Sequence, residues 1–95
     1  MDELARRAGL FKALSDPLRL AILDRLTAGP SCVCDLRDEL DIAGNLLSHH
    51  LKVLREAGLV RAERQGRWVT YAIETDALEA AREALPGEPV ALVEA

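Results

Sequence analysis

The hydrophobic pattern of this chain changes its period at Gly58, which restricts the folds that the chain can adopt. Before Gly58, apolar residues recur at helical spacing, as in "SDPLRLAILDRL". After it, apolar and polar residues alternate in "LVRAERQ" and "RWVTYAI", which flank Gly66 and predict a β-hairpin. A final helix is predicted over about 76–85. The pattern therefore predicts a mainly α-helical fold with a small β-hairpin.

Two short helices precede the hairpin. The first is predicted over about 33–40, and the second runs through "NLLSHHLKVLREA", with "DIA" (41–43) as the turn between them. The apolar stripe of the second helix consists of three leucines: Leu47, Leu51 and Leu54. Two helices joined by about three residues form a helix-turn-helix, and the hairpin that follows extends the prediction to a winged helix-turn-helix.

Two more helices are predicted before this motif. One covers 2–14, and the next begins at Pro17, because proline fits the first helical position and Asp16 can cap the helix. The first and last helices have apolar faces that one small domain has too little core to cover. We therefore expect a homodimer that pairs the first and last helices across a two-fold axis.

A single winged-helix domain is predicted over 1–85. A flexible C-terminal tail is predicted over 86–95, because "PGEP" interrupts the last helix. We expect the domain to fold without a cofactor. The sequence has no run of about 18 apolar residues, so no membrane partner is expected. Its charged start, "MDELARRAGL", lacks an apolar signal core and predicts a cytoplasmic location.

The charge of the chain is segregated. The formal net charge is −4, which by itself argues against a nucleic-acid partner. Residues 45–72, however, contain five Lys and Arg residues against two Glu residues. This stretch covers the second helix of the pair and the hairpin, so we expect one positive face on an acidic protein.

Polar and basic side chains along this stretch are candidates for DNA contact. Four lie opposite the leucine stripe of the second helix: Asn45, Ser48, His49 and Lys52. Arg64 and Arg67 flank the hairpin tip, where they could contact phosphates or the minor groove. His50 is expected to bond or pack within the domain. No catalytic set stands out, so an enzyme is not expected. A winged-helix module that binds protein is the alternative.

The only two cysteines, Cys32 and Cys34, are one residue apart. Within a regular helix such residues point about 200° apart, so they can bind one ion only across the helix start or after its first turn unwinds. A helix start is also expected to lower the pKa of a thiol. A soft-ion site, a redox switch and a pair of buried small hydrophobes remain open as interpretations.

Several motifs resemble the ArsR/SmtB family of metal-sensing repressors over about residues 10–75. They are "LFKALSDPLRLAILDRL", "CVCDL", "LSHHLKVLREAGLV" and "QGRWVTYAI". The resemblance implies a winged-helix homodimer that binds a palindromic DNA operator and leaves it when an inducer binds. "CVC" resembles the inducer site of the arsenite-responsive members, which implies trivalent arsenic or antimony as ligand of Cys32 and Cys34.

The chain also departs from that family. Arg37 stands where such arsenite sensors often have a third cysteine, so arsenic would need a third ligand from hydroxide, water or a small thiol. The N-terminus lacks the cysteines of cadmium and lead sensors, and the last helix keeps Asp76 but has no histidine. Sensing of cadmium, zinc or lead and sensing of oxidation remain alternatives. Ion binding is expected to deform the start of the first helix of the pair and tilt the recognition helices.

Overall fold

The computed structural model describes residues 1–87 and residue 90. The described residues form five helices and three strands. In chain order these are α1 (Asp2–Leu14), α2 (Pro17–Leu26), β1 (Ser31–Cys32), α3 (Val33–Leu40), α4 (Gly44–Glu56), β2 (Val60–Gln65), β3 (Trp68–Ile73) and α5 (Thr75–Glu83). Helices α3 and α4 form the helix-turn-helix, and β2 and β3 form the hairpin, which we call the wing. The mainly α-helical winged fold is confirmed.

The start of α2 depends on two neighbouring residues. Pro17 occupies the first helical position, where its missing N–H costs no hydrogen bond. Asp16 Oδ1 accepts hydrogen bonds from the backbone N–H groups of Leu18 and Arg19, at 2.8 and 3.2 Å. Partial desolvation acts against the charged carboxylate, but these bonds and the nearby charge of Arg19 act the other way, and the pKa of Asp16 is lowered. The predicted cap is confirmed.

The core lies where α2, α3 and α4 meet. The predicted stripe of Leu47, Leu51 and Leu54 is buried, with at most 2% of each residue exposed. The other fully buried side chains are Ile22, Leu36, Leu59 and Val60. Each buried leucine or isoleucine contributes about 2 kcal/mol of transfer free energy. This packing fixes the rotation of α4 about its axis and directs its opposite face to solvent.

Arg19 connects α1, α2 and α4. Its guanidinium donates hydrogen bonds to the carbonyl oxygens of Ala13 at 2.6 Å and Lys12 at 3.2 Å, and to Nδ1 of His50 at 3.1 Å. Because a guanidinium can only donate, Nδ1 accepts and the ring proton lies on Nε2. Nε2 faces Oδ1 of Asp16 at 3.8 Å. The expectation that His50 bonds within the domain is confirmed.

Removing this connection should destabilise the fold. We expect Arg19→Met to lower the free energy of unfolding by about 2–3 kcal/mol, because the buried imidazole and two carbonyl groups lose their donor. Arg6→Met is the matched control. Arg6 pairs with Glu3 on an exposed surface, where solvent screens the interaction, so its loss should have a much smaller effect than the loss of Arg19. Urea unfolding at one protein concentration measures both, and equal losses would contradict the role given to Arg19.

The sheet has one more strand than the sequence predicted. Strands β2 and β3 pair from Val60↔Ile73 to Gln65↔Trp68, as expected for the hairpin. Strand β1 adds to the other side of β3, which gives the antiparallel order β1-β3-β2. Its two residues are too few to show a period of two, so no sequence pattern reveals it. It joins the start of α3 to β3, the central strand of the sheet.

The C-terminal boundaries differ slightly from the prediction. Helix α5 covers Thr75–Glu83, whereas 76–85 was expected. The predicted tail over 86–95 includes residues 88, 89 and 91–95, which lie outside the described residues. The division into a domain over 1–85 and a tail therefore stays a prediction. In the part of the chain that the structure describes, every helix is too short or too polar to cross a membrane.

Candidate nucleic-acid interface and thiol site

One face of α4 carries the predicted DNA-contacting side chains. Burial of the leucine stripe leaves all of them exposed: Asn45, Ser48, His49 and Lys52. His50, the next residue after His49, is only 5% exposed, so the two histidines lie in different environments. The exposed face is polar and carries a positive charge at Lys52. It can enter a DNA major groove while the leucines on the opposite face stay buried in the core.

The wing carries a second exposed basic group. Arg64 lies near the end of β2, opposite Val69, and Arg67 lies in the turn that follows Gly66. Gly66 has a φ of 64°, a conformation that glycine adopts without strain and that closes the two-residue turn. Both arginine side chains are exposed. They do not form an ion pair with any residue that the structure describes.

Arg61 was counted in the basic stretch but contributes little to a positive face. Its guanidinium donates to Oε1 of Glu63 at 2.8 Å and to Oε1 of Glu74 at 2.9 Å. These hydrogen bonds raise the pKa of Arg61 and leave its charge balanced by carboxylates. The free positive charge of this region therefore concentrates on α4 and the tip of the wing.

The two cysteines lie across the start of α3. Cys32 is the N-cap residue, with an extended backbone at φ −75° and ψ 159°, and Cys34 is the second residue of the helix. The two Sγ atoms and a carboxylate oxygen of Asp35 all lie within 4.8 Å of one another. We call these three residues the thiol site. The two thiols can therefore bind one ion across the start of the helix, and the first turn of α3 need not unwind.

Hydrogen bonds at the thiol site connect its members. The backbone N–H of Asp35 donates to Sγ of Cys32 at 3.3 Å, so a sulfur caps the helix. Cys34 is exposed and both thiols are free, which argues against reading the pair as buried small hydrophobes. Asp35 was not among the ligands predicted from the sequence, which were Cys32 and Cys34 alone. Its position three residues after Cys32 was the signal for its place in the site.

The expected lowering of the thiol pKa is wrong for Cys34. Its thiol lies beside Sγ of Cys32 and donates a hydrogen bond to it, which favours the protonated form and raises the pKa of Cys34. Partial desolvation and the negative charges of Cys32 and Asp35 act in the same direction. The N–H of Asp35 acts the other way but is the weaker influence. The neighbouring sulfur of Cys32 therefore raises the pKa of Cys34 more than the N–H of Asp35 at the helix start lowers it.

A groove of about 300 Å³ adjoins the thiol site. Its walls come from the start of α3 and from the wing, which supplies Arg67, Trp68 and Val69. Arg37, from the next turn of α3, also lines it. Cys32 itself pairs with Thr70 of β3. The thiol site thus lies directly against the element that carries Arg64 and Arg67.

A helix-turn-helix with an exposed polar face, followed by a basic wing, defines a winged-helix DNA-binding protein. Residues 16–62 match the family described as "Bacterial regulatory protein, arsR family". A transcriptional regulator of the helix-turn-helix type from Methanocaldococcus jannaschii is 43% identical over 77 residues, covering 80% of this chain and 86% of the relative. The chain belongs to the ArsR family. It is a transcriptional repressor of the ArsR/SmtB type that binds DNA, and it is not an enzyme.

Other relatives are similar over shorter shares of their own length. The arsenical resistance operon repressor of Escherichia coli is 48% identical over 63 residues. That match covers 65% of this chain and 54% of the relative, so the chain spans about half the length of that repressor. The transcriptional repressor SdpR of Bacillus subtilis is 36% identical over 70 residues, with 74% of this chain and 78% of the relative covered.

Solved structures support the same assignment. The crystal structure of an ArsR family transcriptional regulator is similar with a TM-score of 0.74 and 37% identity, covering 83% of this chain and 81% of that one. An ArsR-like transcriptional regulator from Rhodococcus has a TM-score of 0.79 and 28% identity, with 87% of this chain and 78% of that chain covered. The fold and the family inferred from the sequence motifs are confirmed.

Proposed function

We propose that this repressor leaves its operator when arsenite or antimonite binds Cys32 and Cys34. The observation that carries this proposal is the thiol site, in which two free sulfur atoms lie within 4.8 Å at the junction of β1 and α3. Thiolates are the ligands that soft ions prefer. The arsenical resistance operon repressors of Escherichia coli and Bacillus subtilis, 48% and 44% identical, add support for a metalloid inducer.

The operator-bound form uses two groups of side chains. Asn45, Ser48 and His49 contact base edges in the major groove, where amide, hydroxyl and imidazole groups can read hydrogen-bonding patterns. Three cations contact phosphates: Lys52 on α4, and Arg64 and Arg67 on the wing. All six side chains are exposed. Phosphate contacts orient the protein, and the contacts of α4 specify the sequence.

The repressor acts as a homodimer on a palindromic operator. Support comes from large apolar side chains that the folded chain leaves exposed: Leu4 of α1 is 53% exposed and Leu85, just after α5, is 61% exposed. Within the chain α1 and α5 lie together, since Nε of Arg7 donates to the carbonyl oxygen of Ala84 at 2.8 Å. Pairing these helices across a two-fold axis covers both leucines and sets two α4 helices about 34 Å apart.

Inducer binding is coupled to DNA through the junction of β1 and α3. One arsenic atom bonded to both sulfurs holds the two Sγ atoms, which lie within 4.8 Å of each other, at one fixed separation. This bonding constrains Cys32 relative to Cys34. Cys32 is paired with Thr70 of β3, and Cys34 belongs to α3, so the constraint acts on the angle between the wing and the helix-turn-helix. When that angle changes, the wing and α4 can no longer contact the same operator half-site together.

Operator release tests the proposal. A DNA duplex that the protein selects from a random pool is labelled, and fluorescence anisotropy follows its release by arsenite, antimonite, cadmium, zinc and peroxide. We expect the two metalloids to release DNA at the lowest concentrations. Release by peroxide alone would replace the proposal by redox sensing.

A soft divalent cation such as cadmium, zinc or lead is the second candidate inducer. The carboxylate of Asp35 favours it, because two sulfurs and one oxygen from the protein leave a single tetrahedral position for water. Asp35→Asn distinguishes the candidates. The substitution should weaken cadmium binding by about tenfold or more, and arsenite binding by far less, because arsenic favours sulfur over carboxylate oxygen.

The pH dependence of binding separates the two candidates further. A divalent cation must displace the proton of each thiol that it binds, including that of Cys34, whose raised pKa keeps it protonated at neutral pH. Its affinity therefore falls about a hundredfold for each pH unit lost. Arsenite carries hydroxyl groups that leave as water with the thiol protons. Its affinity should therefore stay nearly constant between pH 6 and 8, as measured by calorimetry. A steep decline for arsenite would contradict this stoichiometry.

A further inference from the structure

Two thiols leave trivalent arsenic with one coordination position to fill. Arg37 occupies the position at which the arsenite sensors that this sequence resembles often have a third cysteine, and its guanidinium cannot bind arsenic. The third ligand must come from Asp35, from solvent or from a second molecule. Arsenic favours sulfur over oxygen, which leaves a thiol of a second molecule as the strongest candidate. The groove beside the thiol site gives such a molecule a place to bind.

The groove has the chemistry of a small-molecule site. Its volume of about 300 Å³ falls at the lower end of the range typical for bound ligands. Trp68 offers an aromatic wall that is 60% exposed, beside the half-buried Val69. Arg37 and Arg67 add two cationic groups to the same groove. Neither arginine forms an ion pair with a residue in the described part of the chain.

We propose that the inducer is a ternary species, in which a small thiol that bears carboxylate groups supplies the third sulfur to arsenic and binds Arg37 and Arg67 through those carboxylates. This inference rests on the proposed arsenite response of Cys32 and Cys34. Three thiols, two from the protein and one from the ligand, replace the three hydroxyl groups of arsenite. Three As–O bonds break, three As–S bonds form, and three water molecules leave. No oxidation or reduction occurs.

The same groove links the ligand to DNA release. Arg67 belongs to the wing, so a carboxylate bound to it removes one cation from the group proposed to contact phosphate. Arg37 also lies against the start of the recognition helix, because a Cβ added to Gly44 would lie 3.4 Å from Cζ of Arg37. A ligand that draws Arg37 into the groove therefore also changes the packing at the first residue of α4.

Arsenite titrations with different small thiols test this inference in the absence of DNA. The probes are glutathione, which has two carboxylates, 2-mercaptoethanol, which is neutral, and cysteamine, which is cationic. The only tryptophan, Trp68, lines the groove, so its fluorescence reports occupancy. We expect arsenite with glutathione to bind about tenfold more tightly than arsenite with either other thiol, and native mass spectrometry to detect protein, arsenic and glutathione together.

Arg37→Gln is the decisive variant, with Arg37→Lys as its conservative partner. The glutamine variant should lose the preference for glutathione, and the lysine variant should keep part of it. Arg82→Gln is the matched control, because Arg82 is an exposed arginine of α5 outside the groove and should keep the full preference. Free arsenic and glutathione react identically in every sample, so the ratio between parent and variant isolates the contribution of the groove.

The outcomes separate this inference from the proposed function. Equal binding with all three thiols, or an arsenic absorption spectrum with two sulfur ligands and one oxygen, would overturn the inference while release by arsenite alone could still hold. Loss of arsenic binding in Asp35→Asn, with glutathione present, would assign the third position to Asp35 and also overturn it. Release of DNA by a protein that lacks both thiols would instead overturn the proposed function.

Discussion

Replacing Cys34 with serine should abolish the release of operator DNA by arsenite at concentrations that release the parent protein. The substitution removes one of the two sulfur ligands, so only the thiol of Cys32 remains to bind arsenic. Two linked ligands bind about 10²–10⁴ times more tightly than one, so the concentration for half release should rise by at least about a hundredfold. Anisotropy of the labelled operator measures that concentration. The Cys34 side chain is exposed, so the variant should fold and bind DNA.

The corresponding Cys32→Ser variant removes the other sulfur without loss of the helix cap. Sγ of Cys32 accepts the N–H of Asp35, and a serine oxygen is a better acceptor in that position. We expect the same loss of response with an unchanged helix content by circular dichroism. Asp38→Asn, an exposed change on the same helix, is the control and should respond as the parent does. A normal response in either cysteine variant would show that the inducer binds elsewhere.

Much of the fold was predictable because its signals are local. Asp16 and Pro17 mark the start of α2 by the chemistry of one turn, and Gly66 marks the turn of the wing by its backbone freedom. The leucine stripe of α4 is a periodic signal within one helix, and it also predicts which face is exposed. The assignment of His50 to the interior depended only on its position relative to that stripe.

The parts that sequence reasoning missed depend on residues brought together by folding. Strand β1 forms because Ser31 and Cys32 pair with β3 in the folded chain. Two residues are too few for a sequence pattern to predict a strand. The groove is lined by Arg37 of α3 and by Arg67 and Trp68 of the wing. The register of the sheet determines that these residues lie close together. The pKa of Cys34 was predicted in the wrong direction because a general effect of helix starts was applied without the neighbouring sulfur.

Arg61 shows how a charge count along the sequence overestimates a positive face. Its partner Glu63 is nearby in sequence, but Glu74 lies beyond the hairpin and reaches Arg61 only through the pairing of β2 with β3. The basic stretch therefore contains one arginine that is already neutralised and two, Arg64 and Arg67, that are not. This difference can be measured through the salt dependence of DNA binding.

Arg64→Gln should lower the salt dependence of operator binding, whereas Arg61→Gln should not. Each phosphate contact contributes about 0.9 to the slope of log affinity against log salt. A dimer loses two contacts when Arg64 is replaced, so the slope should fall by about 1.8 and the affinity at 0.1 M salt by about 60-fold. Arg61 is balanced by two carboxylates, and its replacement should change the slope by less than about 0.5.

The size of the change in slope also tests the oligomeric state on DNA. A fall of about 1.8 means that two wings contact phosphate in each complex, and a fall of about 0.9 means that only one does. An unchanged slope for Arg64→Gln would remove Arg64 from the interface and leave Arg67 as the only wing arginine proposed to contact phosphate. An equal fall for Arg61→Gln would mean that its carboxylate partners release it when DNA binds, because an exposed ion pair is weak enough for a phosphate to replace.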